Sequence, residues 1–186
     1  MMTLLIVGIV VFFTIHLVPS LPPLRRRAVQ RLGENTYKLI YTAVAAAGLI
    51  LIIWGKATAG YVHLWTPPDW EQTAAFLLVL AALILLAASH MPGNIKRLVR
   101  HPMLWGVTLW ALAHLCANGD MASLLLFGSF LVYSLLGIVS ATLRKTGKIT
   151  EPQPVFRDVI TVVAGAVVFA VLVFLHPYLF GPQLIN

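Results

Sequence analysis

Charged side chains are scarce in this sequence. Asp, Glu, Lys and Arg make up only 10% of the residues, whereas hydrophobic residues make up 60%. Soluble domains carry about 25% charged residues, so this chain lacks the polar side chains needed to face water on all sides. Its apolar runs are continuous and about 20 residues long, as in helices that cross a bilayer, and they do not alternate as barrel strands do. The sequence therefore predicts an all-α polytopic membrane protein, with residues 1–186 forming a single transmembrane helical bundle.

Acidic groups and cysteines are scarcer still, and their scarcity limits the chemistry open to the chain. None of the 6 Asp and Glu residues lies in the middle of an apolar run, which argues against a proton-coupled transporter built on buried acids. The single cysteine, Cys116, excludes an internal disulfide and a multi-cysteine zinc site. The sequence also has no HExxH pair, no GxSxG motif and no glycine-rich phosphate loop, so hydrolase and kinase functions have no support.

Apolar segments and basic residues together predict the topology. The six predicted spans cover residues 3–18, 37–55, 73–90, 103–117, 121–142 and 158–180, and an extension of the first to Leu24 stays open. Of the 13 Lys and Arg residues, only Lys56 lies in an even-numbered loop. Basic residues are retained in the cytoplasm, which predicts cytoplasmic odd loops and both termini on the outer, periplasmic side. The residues in or beside odd loops are Arg25, Arg26, Arg27, Arg31, Lys38, Lys96, Arg97, Arg100, Arg144, Lys145, Lys148 and Arg157.

Two of the six histidines lie inside apolar segments and are the candidates for chemistry. His16 follows Phe-Phe-Thr-Ile in the first span, and His114 follows Trp-Ala-Leu-Ala in the fourth. An imidazole inside a membrane must face a partner, a ligand or water, and neutral imidazole is a usual axial ligand of haem. We predict haem or metal ligation by this pair, with two separately hydrogen-bonded core histidines as the open alternative. His114 lies roughly 20 Å along its helix from Arg100, and His16 roughly 12 Å from Leu24, so their depths differ.

The basic third loop, residues 96–102, has two interpretations. It can anchor the protein at anionic lipid, as juxtamembrane basic segments commonly do. Alternatively, Arg100 and His101 form an anion clamp for haem propionates or for a phosphate-bearing cofactor, and Arg25 of the first loop supplies charge from another side. The net charge of +7 needs no nucleic acid to explain it, because no platform of aromatic and basic residues is present.

Three sequence blocks carry a resemblance to a known family. They are FTIHLVPS at residues 13–20, LGENTYK at 32–38, and RHPMLWG at 100–106 followed by LWALAHL at 109–115. These blocks resemble the NnrU family of bacterial inner-membrane proteins, which is associated with nitrite and nitric oxide metabolism in denitrification. The family is related to plant zeta-carotene isomerase, a haem-dependent membrane enzyme. The resemblance implies a multi-pass inner-membrane protein with haem b held by His16 and His114.

This sequence differs from the isomerase at one position that matters for isomerase activity and not for haem ligation. The isomerase has a cysteine three residues before its second histidine ligand, and the corresponding residue here is Ala111. The resemblance therefore supports haem binding more strongly than it supports isomerase activity. Residues 100–102 are also similar to isoprenylcysteine-type membrane methyltransferases, but the charged cofactor motif of those enzymes is missing after the fifth span.

The resemblance leaves two kinds of function open. One is a haem-dependent isomerase or redox enzyme that acts on a lipid-soluble substrate. The other is a non-enzymatic membrane accessory factor for the assembly or regulation of nitrogen-oxide reductases. The expected partners are the lipid bilayer, haem and an apolar small molecule, with no nucleic acid, and a homo-oligomer stays open.

Overall fold

The computed structural model describes residues 2–144 and 151–180, and it is helical almost throughout. Across these residues there is no named strand, only an isolated bridge between His63 and Asp120. The all-α prediction is therefore confirmed, while Lys145 and Lys148 of the fifth loop lie outside the described residues. The helices are α1 (Met2–Ser20), α2 (Pro22–Leu32), α3 (Glu34–Thr58), α4 (Glu71–His90), α5 (Asn94–Leu98), α6 (Pro102–Ala117), α7 (Met121–Leu143) and α8 (Val155–Phe180).

Each predicted span corresponds to one long helix, and five of these helices in the described part of the chain are long and apolar enough to cross a membrane: α1, α3, α4, α7 and α8. The fourth predicted span is α6, which has 16 residues and is therefore about 24 Å long. That length falls short of a hydrocarbon core about 30 Å thick. The chain is thus a multi-pass membrane protein, whose described residues include five helices of spanning length and one shorter apolar helix.

The described residues pack as two compact units, and the first comprises residues up to 65 together with 120–129. Its centre is the pair α1 and α3, whose backbones approach at glycines. A Cβ added to Gly8 would lie 2.6 Å from the Ile52 nitrogen, and one added to Gly48 would lie 2.8 Å from the Phe12 nitrogen. Small residues at such crossings let apolar helices pack closely within a membrane.

Helix α2, flanked by Leu21 and Gly33, connects α1 to α3 in this unit, and we call this connection the elbow. Helix α1 ends at Ser20, and α2 begins at Pro22, so the first span does not run on to Leu24 as one helix. Proline suits the first turn of a helix because its missing N–H is not needed there, which explains the new start. Gly33 then connects α2 to α3 with φ 78°, a conformation that residues with a Cβ rarely adopt.

The second unit comprises residues 66–119 and 130 onward, with α4 packed against both α6 and α8. Gly106 of α6 and Gly165 of α8 each lie very close to α4. A Cβ added to Gly106 would lie 2.9 Å from the Ala82 oxygen, and one added to Gly165 would lie 2.7 Å from the Ile84 Cα. Near the start of α8, Asp158 accepts hydrogen bonds from the Asn94 side chain (2.7 Å) and the Ile95 N–H (3.0 Å), which ties α5 to α8.

Candidate functional site

His16 has its ring oriented by its own helix. Its Nδ1 lies 2.7 Å from the carbonyl oxygen of Phe12, one turn earlier in α1. A carbonyl can only accept, so Nδ1 carries the hydrogen, and in the neutral ring Nε2 then carries the lone pair. The imidazole also stacks on the Phe12 ring, with centroids 4.0 Å apart, and lies 5.5 Å from the ring of Tyr41 in α3.

His114 on α6 repeats this arrangement in the other unit. Its Nδ1 lies 2.8 Å from the carbonyl oxygen of Trp110, again four residues earlier, and the two rings are 5.1 Å apart. The Asn118 side chain donates to the His114 carbonyl oxygen at 2.9 Å, which caps this end of the helix. The same tautomer, with the lone pair on Nε2, is therefore fixed at both histidines.

This tautomer is the one that a metal-binding histidine needs. Histidine ligands usually donate their second ring N–H to a carbonyl or a carboxylate, which sets the ring orientation and increases the basicity of the ligating nitrogen. Both histidines fit axial ligation of haem iron by this criterion, each within its own unit. In the part of the chain that the structure describes, no three His, Cys, Asp or Glu side chains cluster to hold a metal ion.

The aromatic residue one turn before each histidine is a feature that the sequence-based prediction overlooked. The pairs Phe12 and His16, and Trp110 and His114, have the spacing at which helical side chains meet. The signal was present in the sequence as an aromatic residue four positions before each of these two histidines.

Arg25 lies on α2 at the edge of an open pocket in the first unit. Its guanidinium carbon is 6.0 Å from the centre of the Tyr37 ring, and the pocket has a volume of about 280 Å³. Tyr41, which contacts the ring of His16, also lines this pocket. The structure thus brings Arg25 into the neighbourhood of His16 through two tyrosines. We call it the elbow pocket, and it is lined by Pro19, Arg25, Tyr37, Lys38, Tyr41 and Thr42.

Arg100 and His101 directly precede α6 in the second unit. The His101 carbonyl accepts the N–H of Trp105 at 3.1 Å, while its Nε2 is buried and meets no hydrogen-bond partner within residues 2–144 and 151–180. Burial, together with the charge of Arg100, lowers the pKa of His101 below its ordinary value. In the anion clamp that the sequence predicts, a neutral His101 would contribute a hydrogen bond and Arg100 would contribute the positive charge.

A buried polar network in the first unit was not predicted. The Lys56 ammonium group donates to Asp120 Oδ1 at 3.0 Å and to Ser123 Oγ at 2.7 Å, and the Ser123 backbone N–H donates to the same carboxylate oxygen at 3.0 Å. Burial raises the pKa of the Asp120 carboxyl, but hydrogen bonds from Ser123 and Lys56 outweigh it and hold that pKa below its ordinary value. Lys56, which the sequence predicts to lie in an even loop, lies in the last turn of α3 and is neutralised by a carboxylate.

A serine beside a lysine is also the pairing found in some hydrolases, where the amine activates the hydroxyl. Here Ser123 is fully buried, and the Asp120 carboxylate favours the protonated amine, which cannot act as a base. The network is therefore structural: it caps the start of α7 and holds that end against the end of α3.

Comparison with known proteins gives one informative result. A family model described as NnrU protein matches residues 4–184, which include both units and both candidate histidines. No curated protein and no solved structure gives a significant match.

Proposed function

Because the chain belongs to the NnrU family, we propose that it is a membrane protein that binds haem b, with His16 and His114 as the axial ligands. The observation that carries the proposal is the shared arrangement of the two rings, each with Nδ1 directed to a carbonyl oxygen one turn earlier. Both rings belong to apolar helices, where an ionisable side chain is rare and indicates a functional site. Bound haem would supply an iron centre for electron transfer or for activation of a lipid-soluble substrate.

Other residues of the chain would hold this group and exclude water from it. Phe12 and Trp110 place an aromatic ring against each imidazole. Arg100 carries a charge that suits a propionate, and His101 offers a ring nitrogen, while Arg25 is the candidate for the second propionate unless the elbow pocket holds another anion. Ala111 is fully buried and provides no thiol beside His114. A redox or accessory role in nitrite and nitric oxide metabolism therefore ranks above carotenoid isomerisation. Copurification with a nitrogen-oxide reductase would favour the accessory role.

An absorption spectrum of the purified protein tests haem binding. The wild type, produced with added haem precursor, should show a Soret band and about one haem per chain. His16→Ala and His114→Ala should each lose most of the haem, or keep it with a spectrum typical of a single histidine ligand. His90→Ala is the matched control, because His90 is exposed at the end of α4 and should change nothing. Equal and negligible haem in the wild type and His114→Ala would refute the proposal.

We further propose six spans, with α6 as the fourth, and both termini on the periplasmic side of the bacterial inner membrane. The support is the sorting of basic residues, to which Lys56 is the single exception. Its pairing with Asp120 removes the net charge of that exception. Single cysteines can be introduced into a Cys116→Ser background at Lys96 and at Asp69. Labelling of position 96 from the periplasm would contradict this topology.

A further inference from the structure

The elbow pocket is rich in groups that donate hydrogen bonds. Two of its lining residues are cations, Arg25 and Lys38, and three others carry hydroxyls, Tyr37, Tyr41 and Thr42. Among the described residues no carboxylate lines it, although Glu34 forms a 2.9 Å ion pair with Lys38 beside it. Two cations and three hydroxyls that can donate form a lining that suits an oxyanion.

Tyr37 gives a second and independent indication of a ligand. The residue is only 8% exposed, and its hydroxyl is buried without a hydrogen-bond partner anywhere in residues 2–144 and 151–180. Buried hydroxyls are nearly always paired, because an unmade hydrogen bond costs stability. The guanidinium of Arg25 lies 6.0 Å from the centre of the same ring. A charged donor therefore lies beside the residue that carries the unpaired hydroxyl.

The charge around the pocket also favours an anion. Helix α2 carries four arginines and no acidic residue. Lys38 is already paired with the Glu34 carboxylate, so Arg25 is the principal cation of the lining. Arginine presents several N–H groups in a planar fork, which matches the oxygens of a phosphate group.

The position of the pocket identifies the kind of anion. It lies where the span-length helix α1 ends and the polar helix α2 begins, beside the start of the span-length helix α3. The ends of spanning helices lie at the depth of the lipid headgroups. We propose that the elbow pocket binds the phosphate of an anionic membrane lipid, with the Tyr37 hydroxyl and the Arg25 guanidinium as donors.

Native mass spectrometry of the detergent-solubilised full-length protein tests this, with phosphatidylglycerol and phosphatidylcholine titrated separately. We expect tighter binding of phosphatidylglycerol, weakened about tenfold by Arg25→Gln and about fivefold by Tyr37→Phe, with little change for phosphatidylcholine. Arg27→Gln, which alters an exposed arginine of α2 outside the pocket lining, and Tyr61→Phe, at an exposed tyrosine, are the controls and should change the affinity less than twofold.

The same titration on His114→Ala separates this proposal from haem binding. The described lining of the elbow pocket comes from α1 to α3, so the lipid preference should persist when haem ligation by His114 is lost. Loss of the preference in the wild type after haem loading would show that a propionate occupies the pocket, and the lipid proposal would be wrong. Unchanged phosphatidylglycerol affinity in both Tyr37→Phe and Arg25→Gln would also overturn it, as would an Arg27→Gln effect equal to that of Arg25→Gln.

Discussion

The helix pairs α1–α3 and α4–α6 each present one histidine, and they do so in the same way with different surroundings. In both, the ring is set by the carbonyl oxygen and the aromatic side chain one turn earlier. Around His16 lie tyrosines and a pocket with cations, whereas Trp110 beside His114 packs on Phe130, with ring centres 5.4 Å apart. The orientation of an imidazole is thus a local property of a helix, while its chemical surroundings depend on the neighbouring helices.

The largest expected effect is a loss of stability from a substitution that disturbs the α1–α3 pair alone. Gly48→Leu would force a side chain against the backbone of Phe12, whose carbonyl oxygen and ring orient His16. We expect a loss of about 3 kcal/mol in stability, measured by unfolding in detergent, together with altered ligation at His16. Gly60→Leu is the control because no atom lies within 4 Å of an added Cβ there. Equal stability of the two variants would contradict the close approach.

The next effect concerns the ion pair that holds the first unit at the far end of α3. Lys56→Met leaves the buried Asp120 carboxylate without its ammonium partner and should cost about 2 kcal/mol. Because the folded pKa of Asp120 is lowered, its stabilisation is complete above the unfolded value of about 3.9 and is lost as the pH falls through the folded pKa. Unfolding of the wild type and Asp120→Asn across this range should converge at low pH. A constant difference would contradict the assignment.

A smaller effect is expected at the elbow, on the α1–α3 side of the comparison. Gly33→Ala places a Cβ on a residue with φ 78° and should cost about 1 kcal/mol, although the surrounding space is open. Thermal unfolding is the measurement, and Gly60→Ala is the reference for the loss of a flexible residue. An effect no larger than that of Gly60→Ala would show that the elbow tolerates a change of conformation.

The smallest expected effect is a shift in the pKa of His101, which directly precedes α6. The pKa of His101 is lowered by burial and by Arg100, so NMR titration should find this residue protonating below the ordinary value near 6.5. Arg100→Gln should raise the pKa towards that value, whereas Arg97→Gln, at an exposed position of α5, should change it less. Since protonation opposes the buried state, stability should fall as the pH drops below the unfolded pKa. A pKa at or above the ordinary value would refute this.

Much of the fold could be predicted because hydrophobicity alone decides which segments enter a bilayer. All six predicted spans correspond to helices, and most of the predicted ends lie within three residues of the observed ones. The break at Leu21 was harder, since consecutive prolines can either kink a helix or start a new one. The shortness of α6 follows from Pro102 at its start and Asn118 after its end, and both residues were visible in the sequence.

The candidate site was predictable only where one residue carries the signal by itself. His16 and His114 were selected because an imidazole is unexpected in apolar sequence. The partner of Lys56 could not be predicted, because Asp120 lies 64 residues away and nothing local connects them. The unpaired Tyr37 hydroxyl is likewise a result of packing between helices, and a sequence pattern does not report it. Haem itself stays a prediction.

The Lys56–Asp120 pair also bears on how the chain is made. In the proposed orientation Lys56 is the one lysine that must cross the bilayer, and its partner is encoded 64 residues later. At about 5 to 20 residues per second, synthesis of that interval takes roughly 3 to 13 seconds. In that orientation the end of α3 would reach the periplasm before Asp120 has been synthesised. The ion pair that holds the end of α3 against the start of α7 would then form only after α7 is inserted.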